Sequence, residues 1–326
     1  MIELLVALGL LLAFMGMAFR LFDQMTSLNQ NVAGVAEVND NLRAAVTMMT
    51  RDLITAGSGL PTGGIAVANG NNATAINRPS WTGQTFPFNN GVLSAVTPGY
   101  QLGPVSDGKA TDEVTILMVD PQSPVYSLTS VTSSGSQVTV DNSINLSTPP
   151  SQVSTGDLLM LSNVHGNVLG MATNVSANSH KIEFAASDPM NVNQPSADHG
   201  NIASLADPGS PPSYPPTSAY RVRMVTYYIS IVNSEPRLMR QLDDQPAVEV
   251  ADDIDVLQLT YDYDDPATGD LLVDQPTVTA PNQIRQVHLL IGARSQLQMR
   301  KSNDYLRRTM ATSVAVRNLT YKNRYQ

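Results

Sequence analysis

Sixteen consecutive residues near the start of the chain, residues 4–19, carry no charge and no strongly polar group. A helix that crosses the hydrocarbon core of a bilayer needs about 20 apolar residues, so this run is marginal but sufficient, with Arg20 able to reach the headgroups. A cleaved secretory signal is the alternative, and such a signal begins with a basic segment. Here the acidic Glu3 precedes the run. The pattern therefore favours an apolar helix that stays in the protein.

The helix is predicted to continue well beyond Arg20. The first proline is Pro61, and Gly57, Ser58 and Gly59 precede it as a stop signal. A helix that ends at Gly57 is about 85 Å long. Apolar residues beyond the first run follow a three-four spacing, which predicts a seam along one face. The seam comprises Met25, Leu28, Val32, Val35, Leu42, Val46, Met49 and Leu53, with Asn39 in its one gap.

The two halves of this helix differ in what can cover their apolar side chains. The amphipathic second half can pack on a domain, whereas the first half is apolar all round and must be covered by lipid or by copies of itself. Glu3 sits at the start of that apolar half, where a carboxylate is unfavourable in lipid. It either lies at headgroup level and interacts with the helix dipole, or it pairs with a cation. The α-amino group of a neighbouring subunit is the nearest candidate for that cation.

The remainder of the chain predicts a β-rich head. Short strands are expected at residues 113–119, 125–131, 137–140, 157–161 and 181–184, between clusters of Gly, Pro, Asn and Ser. Period-two alternation around residues 225–231, 257–263 and 287–291 predicts half-buried antiparallel strands. A helix or a strand is expected from Tyr305 to Asn318.

These segments together predict an α+β fold, in which a long N-terminal helix packs on a large head of antiparallel sheets. We divide the chain into the helix (1–57), a loop- and strand-rich part of the head (58–220) and an antiparallel sheet core (221–326).

Charge is unevenly distributed along the head. Residues 221–284 hold four basic and twelve acidic residues, whereas residues 285–326 hold nine basic and one acidic. Either the two stretches are neighbouring strands whose charges compensate within one sheet, or they meet between subunits and fix a repeating contact.

Few residues suggest chemistry. The chain has no cysteine, which excludes disulfides and thiolate metal sites. Its histidines (His165, His180, His199 and His288) are scattered and match no zinc or catalytic motif, so we expect no enzyme activity and no cofactor. The acidic stretch with Asp262, Asp264 and Asp270 is read as a solvated hairpin turn, with a calcium site as the alternative.

Nucleic-acid binding is not expected, because the net charge of −9 opposes a phosphate footprint. The basic residues that would serve it are Arg285, Arg294, Arg300, Lys301, Arg307 and Arg308.

The start of the chain, Met1-Ile2-Glu3-Leu4-Leu5-Val6-Ala7-Leu8, resembles that of type IV pilins and type II secretion pseudopilins. Residues 51–57, 227–229, 238–240, 287–290 and 314–318 resemble parts of the PilW-like minor pilins and their J-type pseudopilin relatives. The family keeps four residues before the glutamate, whereas two precede Glu3 here. It also tends to have a helix breaker in the apolar helix, and here Gly16 is the candidate for melting on assembly, with close helix packing as the alternative.

The resemblance implies a subunit that a prepilin peptidase processes and that waits in the inner membrane. The pilus assembly machinery then adds it to an extracellular filament of identical or related pilins. The residues implied in assembly are Glu3, Leu4, Leu5, Val6, Leu8, Leu11 and Phe14. A principal pilin, a PilW-like minor pilin and a secretion pseudopilin remain alternatives, as does a membrane-anchored module for surface binding or adhesion.

Overall fold

The computed structural model describes residues 2–86, 91–299, 304–316 and 318; the side chain of Leu5 lies outside this description. The helix and strands within these residues are α1 (Ile2–Thr55), β1 (Ile65–Ala66), β2 (Val92–Leu93), β3 (Val96–Gly99), β4 (Val105–Ser106), β5 (Lys109–Ala110), β6 (Glu113–Val119), β7 (Tyr126–Val131), β8 (Gln137–Val140), β9 (Leu158–Asn163), β10 (Gly166–Met171), β11 (Asn174–Ser176), β12 (Lys181–Glu183), β13 (Ser218–Val232), β14 (Glu235–Leu242), β15 (Val248–Asp252), β16 (Ile254–Asp264), β17 (Leu271–Gln275), β18 (Ile284–Gln298) and β19 (Tyr305–Ala315). Short 3-10 helices lie at Ala177–Ser179, Ile202–Leu205 and Pro281–Gln283.

The predicted fold class is confirmed: one long N-terminal helix precedes a large region of mainly antiparallel sheets. The five short strands predicted before residue 220 appear as β6, β7, β8, β9 and β12, with bounds that shift by two residues or fewer. The last element, left open as helix or strand, is the strand β19.

The long strand β13 organises the larger sheet. Its first residues pair with β9 and β7, and its later residues pair with β6 on one side and β14 on the other. The strands of residues 58–220 and those of the C-terminal third therefore share this one strand, and our boundary near residue 220 falls at its start.

A second sheet of four strands has the order β17-β16-β18-β19. The acidic and basic stretches meet here as neighbouring strands. Arg285 pairs with Asp264, Arg294 with Asp253 at 3.3 Å, and Arg307 with Asp255 at 2.9 Å. These ion pairs bear out the interpretation in which the charges compensate within one sheet.

Helix α1 contributes its second half to the core between the sheets. The buried side chains are Val38, Leu42, Ala45, Met49 and Leu53, each no more than 1% exposed. Their spacing of three and four residues places them on one helix face. That face packs against β18, β19, β15 and β6. Burying an apolar side chain of this size contributes about 1.5–3 kcal/mol.

The predicted seam is wrong in its first half. Met25, Leu28 and Val32 are 65%, 62% and 69% exposed, because the head reaches only the later part of the helix. The predicted seam had its gap at Asn39, and the neighbouring Val38 is the residue that packs in the core at this level of the helix. The predicted stop signal is correct: α1 ends at Thr55, and Gly57 (φ 74°) and Gly59 (φ 72°) turn the chain into the head.

Beneath β6, an ionisable pair lies wholly inside the head. The carboxylate of Glu113 is 4.0 Å from Nε of Arg78, and neither side chain is exposed. Arg78 donates to Thr115 Oγ1 and to the carbonyls of Thr97 and Pro98. Burial raises the pKa of Glu113 to about 7, although Arg78 opposes the shift.

Substituting a buried helix residue should destabilise the head. Met49→Ala leaves a cavity in the core, and we expect it to lower the free energy of unfolding by about 2–5 kcal/mol. Val32→Ala removes an exposed side chain and should change it by less than about 0.5 kcal/mol. Urea unfolding of the detergent-solubilised chain measures both. Equal effects would contradict the placement of the helix in the core.

The buried carboxylate predicts a pH dependence. Because the pKa of Glu113 is raised from 4.5 to about 7 in the folded protein, the folded state binds more protons between these values. The stabilisation that protonated Glu113 gives to the folded state is therefore fully present below pH 4.5 and is lost as the pH rises through 7. The resulting decrease in the free energy of unfolding is about 3 kcal/mol at most. Glu113→Gln should flatten this part of the unfolding profile. A profile unchanged by the substitution would show that Glu113 does not titrate in this range.

Candidate functional site

The first half of α1 extends beyond the head with its apolar side chains uncovered. From Ile2 to Ala33 every described side chain is exposed, apart from the half-buried Thr26 and Ser27. This length of helix spans about 48 Å. The consecutive residues Leu10, Leu11 and Leu12 are all more than half exposed, although they point about 100° apart around the axis. Residues 4–19, about 24 Å of this length, are therefore apolar on every side.

The structure places the predicted assembly residues together on this helix. Leu4 is 73% exposed and Phe14 is 68% exposed, and Val6, Leu8 and Leu11 lie between 53% and 57%. Leu5 lies within the helix, but its side chain is outside the description. By length and composition this helix could cross a membrane.

Glu3 is in the first turn of the helix, where its negative charge is favourable to the helix dipole. Within the described residues it forms no ion pair, and the next charged residue along the helix is Arg20. The two are 17 residues apart, or about 25 Å. No charged side chain described on its own helix is therefore close enough to neutralise Glu3.

Gly16, the candidate for melting, lies inside continuous α-helix. Among the described atoms, none outside its own stretch of helix lies within 4 Å of the position where a side chain would begin. Any role of Gly16 in assembly is thus a property of the assembled state and stays a prediction.

The other end of the rod is fixed by a buried carboxylate that our sequence reasoning did not single out. Asp52 lies in the last turn of α1, where the helix dipole disfavours a negative charge. Its Oδ2 accepts hydrogen bonds from the Tyr227 hydroxyl at 2.7 Å and from Arg240 Nε at 2.8 Å. Tyr227 and Arg240 are opposite each other on β13 and β14.

The three groups form a network that joins the helix to the larger sheet. Burial and the neighbouring carboxylate raise the pKa of the Tyr227 hydroxyl, which therefore stays a donor. The signal in the sequence was the Arg51-Asp52 pair next to the helix end, but the partners are 175 and 188 residues away.

The acidic turn forms the expected hairpin between β16 and β17. Asp262 Oδ1 lies 3.0 Å from His288 Nε2 and accepts from the Asp274 backbone N–H. Asp264 pairs with Arg285. Asp270 lies exposed in the turn itself, and in the described part of the chain no three acidic or histidine side chains converge as a metal site. The calcium hypothesis remains a prediction without a preformed ligand set.

The basic residues proposed for nucleic acid are largely engaged within the chain. Arg285, Arg294 and Arg307 pair with carboxylates of the four-stranded sheet, and the Arg294 guanidinium also lies 4.4 Å from the centre of the Tyr305 ring. Arg308 is exposed, and Arg300 and Lys301 lie outside the described residues. His288 hydrogen-bonds with Ser313 Oγ through Nδ1, and its Nε2 lies 3.0 Å from Asp262 Oδ1.

Comparison with known proteins gave no match: no protein-family model, no curated protein and no solved structure is similar to this chain.

Removing the carboxylate that fixes the helix should weaken the head. Asp52→Ala leaves Arg240 without its buried partner, and we expect a loss of about 3–5 kcal/mol in the free energy of unfolding. The adjacent Arg51→Ala is the matched control, because the Arg51 side chain is 71% exposed. It should change stability by less than about 1 kcal/mol. Thermal and urea unfolding measure both, and similar losses would rule out a special role for Asp52.

Proposed function

We propose that this protein is a structural subunit of a type IV pilus-like filament, which assembles through its N-terminal helix. The observation that carries the proposal is the helix itself: about 48 Å of rod that its own head leaves uncovered, of which residues 4–19, about 24 Å, are apolar on every side. Exposed Leu, Phe and Met side chains are each unfavourable in water by about 1.5–3 kcal/mol. A stable state therefore needs another apolar surface around the rod.

A lipid bilayer and a bundle of identical helices both supply that surface. Lipid tails are as apolar as leucine, so the apolar residues alone do not favour one over the other. Glu3 does, because a carboxylate in hydrocarbon is unfavourable unless a cation pairs with it. In a bundle, the α-amino group of a neighbouring subunit provides this cation. Glu3 thereby selects the assembled state and sets the position of the next subunit.

The resemblance of the first eight residues to type IV pilins implies the sequence of events. The subunit is held in the inner membrane by its apolar helix, a prepilin peptidase prepares its N-terminus, and the assembly machinery transfers it to the growing filament. The β-rich head then lies outside the cell. Leu4, Val6, Leu8, Leu11 and Phe14 act as packing residues, and no catalytic step or resident cofactor is needed.

The short C-terminal resemblances favour a PilW-like minor pilin. A principal pilin and a type II secretion pseudopilin use the same helix, and the geometry of one chain is equally compatible with them. DNA binding is disfavoured in each case by the net charge of −9, and Arg285, Arg294 and Arg307 already pair with carboxylates of the head.

A membrane-anchored binding module is the second candidate, because the same helix is long and apolar enough to serve as a simple anchor. In that case the helix works alone, and lipid is its final surroundings. Glu3 then has no partner to select and could be replaced freely.

Replacing the carboxylate separates the two functions. We expect Glu3→Ala to leave membrane insertion intact but to reduce filament yield by at least about tenfold. Asp40→Ala is the matched control, because Asp40 is an exposed acidic residue on the same helix outside the apolar run. Electron microscopy of sheared cell-surface material and membrane fractionation give the two readouts. If Glu3→Ala cells retain normal filaments, Glu3 does not direct assembly; if the parent strain makes none, the anchor is favoured.

A further inference from the structure

The β18–β19 hairpin extends past Val38, the first buried residue of the described helix, and runs beside its uncovered part. We call its described outer part, residues 295–299 and 304–306, the hairpin arm. Gln298 pairs with Tyr305, and the Met299 N–H donates to the Asp304 carbonyl at 2.8 Å. A groove of about 750 Å³ lies between the arm and residues 24–37 of the helix. The arm is therefore a paired ribbon that stands to one side of the helix axis.

One close approach fixes the level of the arm along the helix. A side chain at Gly34 would begin 3.5 Å from Cβ of Ser295, so these two residues are level. A strand rises about 3.3 Å per residue, which places Met299 about 13 Å farther out. About nine helical residues cover the same distance, so Met299 is level with roughly residue 25. In agreement with this level, Gln24 and Met299 line the same groove.

The apolar part of the helix ends just before this level. Residues 4–22 contain one charge, Arg20, and span about 28 Å, close to the hydrocarbon thickness of about 30 Å. Asp23 is the first acidic residue after them. The headgroup layer adds about 5–8 Å on each side of the hydrocarbon, or roughly three to five helical residues. When residues 4–22 span the hydrocarbon, the end of the arm therefore lies in the headgroup layer.

The side chains of the arm suit that layer. Residues 295–299 are all uncharged, and Leu297 is 71% exposed. Gln296 and Gln298 are exposed beside it, so the arm offers both an apolar group and amide donors. Tyr305 is half-buried on the second strand, and tyrosine is enriched at the headgroup level of membrane proteins.

The charges next to the arm have partners within the chain. The Asp304 carboxylate lies 3.3 Å from Arg307, and the Arg294 guanidinium lies 4.4 Å from the centre of the Tyr305 ring. Arg294 is also 3.3 Å from Asp253. Among the described residues, contact with anionic headgroups therefore leaves the acidic group of the arm with its cation.

We propose that the hairpin arm rests on the lipid headgroups while the subunit is held in the membrane. The proposal rests on the membrane-held stage of the proposed function and adds a second contact to that stage. A single spanning helix tilts by about 20° on average. Because the arm stands to one side of the helix axis, its contact with the bilayer limits this tilt and presents the head in one orientation.

Fluorescence quenching in vesicles tests the contact. Trp81 is the one tryptophan of the chain, so Trp81→Phe gives a background in which one introduced tryptophan reports its own depth. The full chain with Gln298→Trp is reconstituted in vesicles of phosphatidylethanolamine and phosphatidylglycerol that contain a headgroup spin label. We expect the label to quench this tryptophan at least about threefold more strongly than one introduced by Val248→Trp.

Val248 is the matched control because it is equally accessible but far from the bilayer. Its side chain is 67% exposed, and it pairs with Arg240, whose Nε lies 2.8 Å from Asp52. Asp52 is about 40 Å along the helix from the level of residue 25. Leu12→Trp with an acyl-chain label is the control for insertion, because Leu12 lies inside the apolar run.

A charge variant supplies an independent readout. Leu297→Asp, added to the chain with Gln298→Trp, places a negative charge opposite anionic phosphatidylglycerol. It should lower the headgroup quenching by at least about twofold, whereas Val248→Asp should leave it unchanged. Both positions are exposed, so thermal unfolding in detergent should show that each variant folds.

The outcomes distinguish the arm contact from the membrane-held stage. Strong quenching at position 298, weak quenching at position 248 and the loss in Leu297→Asp support the proposal. If Leu12→Trp is quenched but positions 298 and 248 give equal signals, the arm contact is overturned and the membrane-held stage stands. An arm that reports contact with a second copy, through a signal that depends on protein density rather than on the lipid label, also overturns it. If Leu12→Trp is not quenched either, both ideas fail.

Discussion

The protein depends on one helix that is covered over only part of its length. Its second half is the centre of the head, where Val38, Leu42 and Met49 complete the core that the two sheets share. Its first half has no such cover. Because both halves belong to one continuous rod, the direction in which the apolar half points is determined by how the other half is packed. The network of Asp52, Tyr227 and Arg240 fixes that packing at the helix end.

The pairing of charged residues also differs between the head and the extended half of the helix. In the four-stranded sheet, the acidic and basic stretches neutralise each other through pairs such as Asp255–Arg307. On the extended helix, Glu3 and Arg20 have no ion-pair partner within the described residues. Isolated surface pairs contribute little to stability, so these charges are better suited to choosing between alternative positions of a neighbour. The described charges of the four-stranded sheet are thus largely paired within the head, whereas Glu3 and Arg20 are not.

Much of the architecture could be predicted because its signals are local. The apolar run and Gly57 predicted the helix and its end, and period-two alternation predicted strands such as β16 and β18. The seam at Met25, Leu28 and Val32 failed because periodicity shows which face is apolar but not how far the head extends. Contacts between distant segments were missed for the same reason. Nothing near Asp52 indicates Tyr227, and nothing near Arg78 indicates that Glu113 lies beside it.

The site shows the same division between local and distant information. Exposure of residues 4–19 followed from their composition, because a stretch of helix that is apolar all round has no single face to turn to a head.

The contacts of α1 also explain how a large head can vary without disturbing the rod. The helix packs on β15, β18 and β19, which all belong to the C-terminal third, and on β6 from the preceding region. Most of residues 58–220 instead build two hydrophobic clusters of their own around β9 and β10. They join the rest through β13, on which the two regions share a sheet. Substitutions in these two clusters should therefore leave the packing of the helix unchanged. The position of the helix depends instead on β6, the Asp52 network and the C-terminal strands.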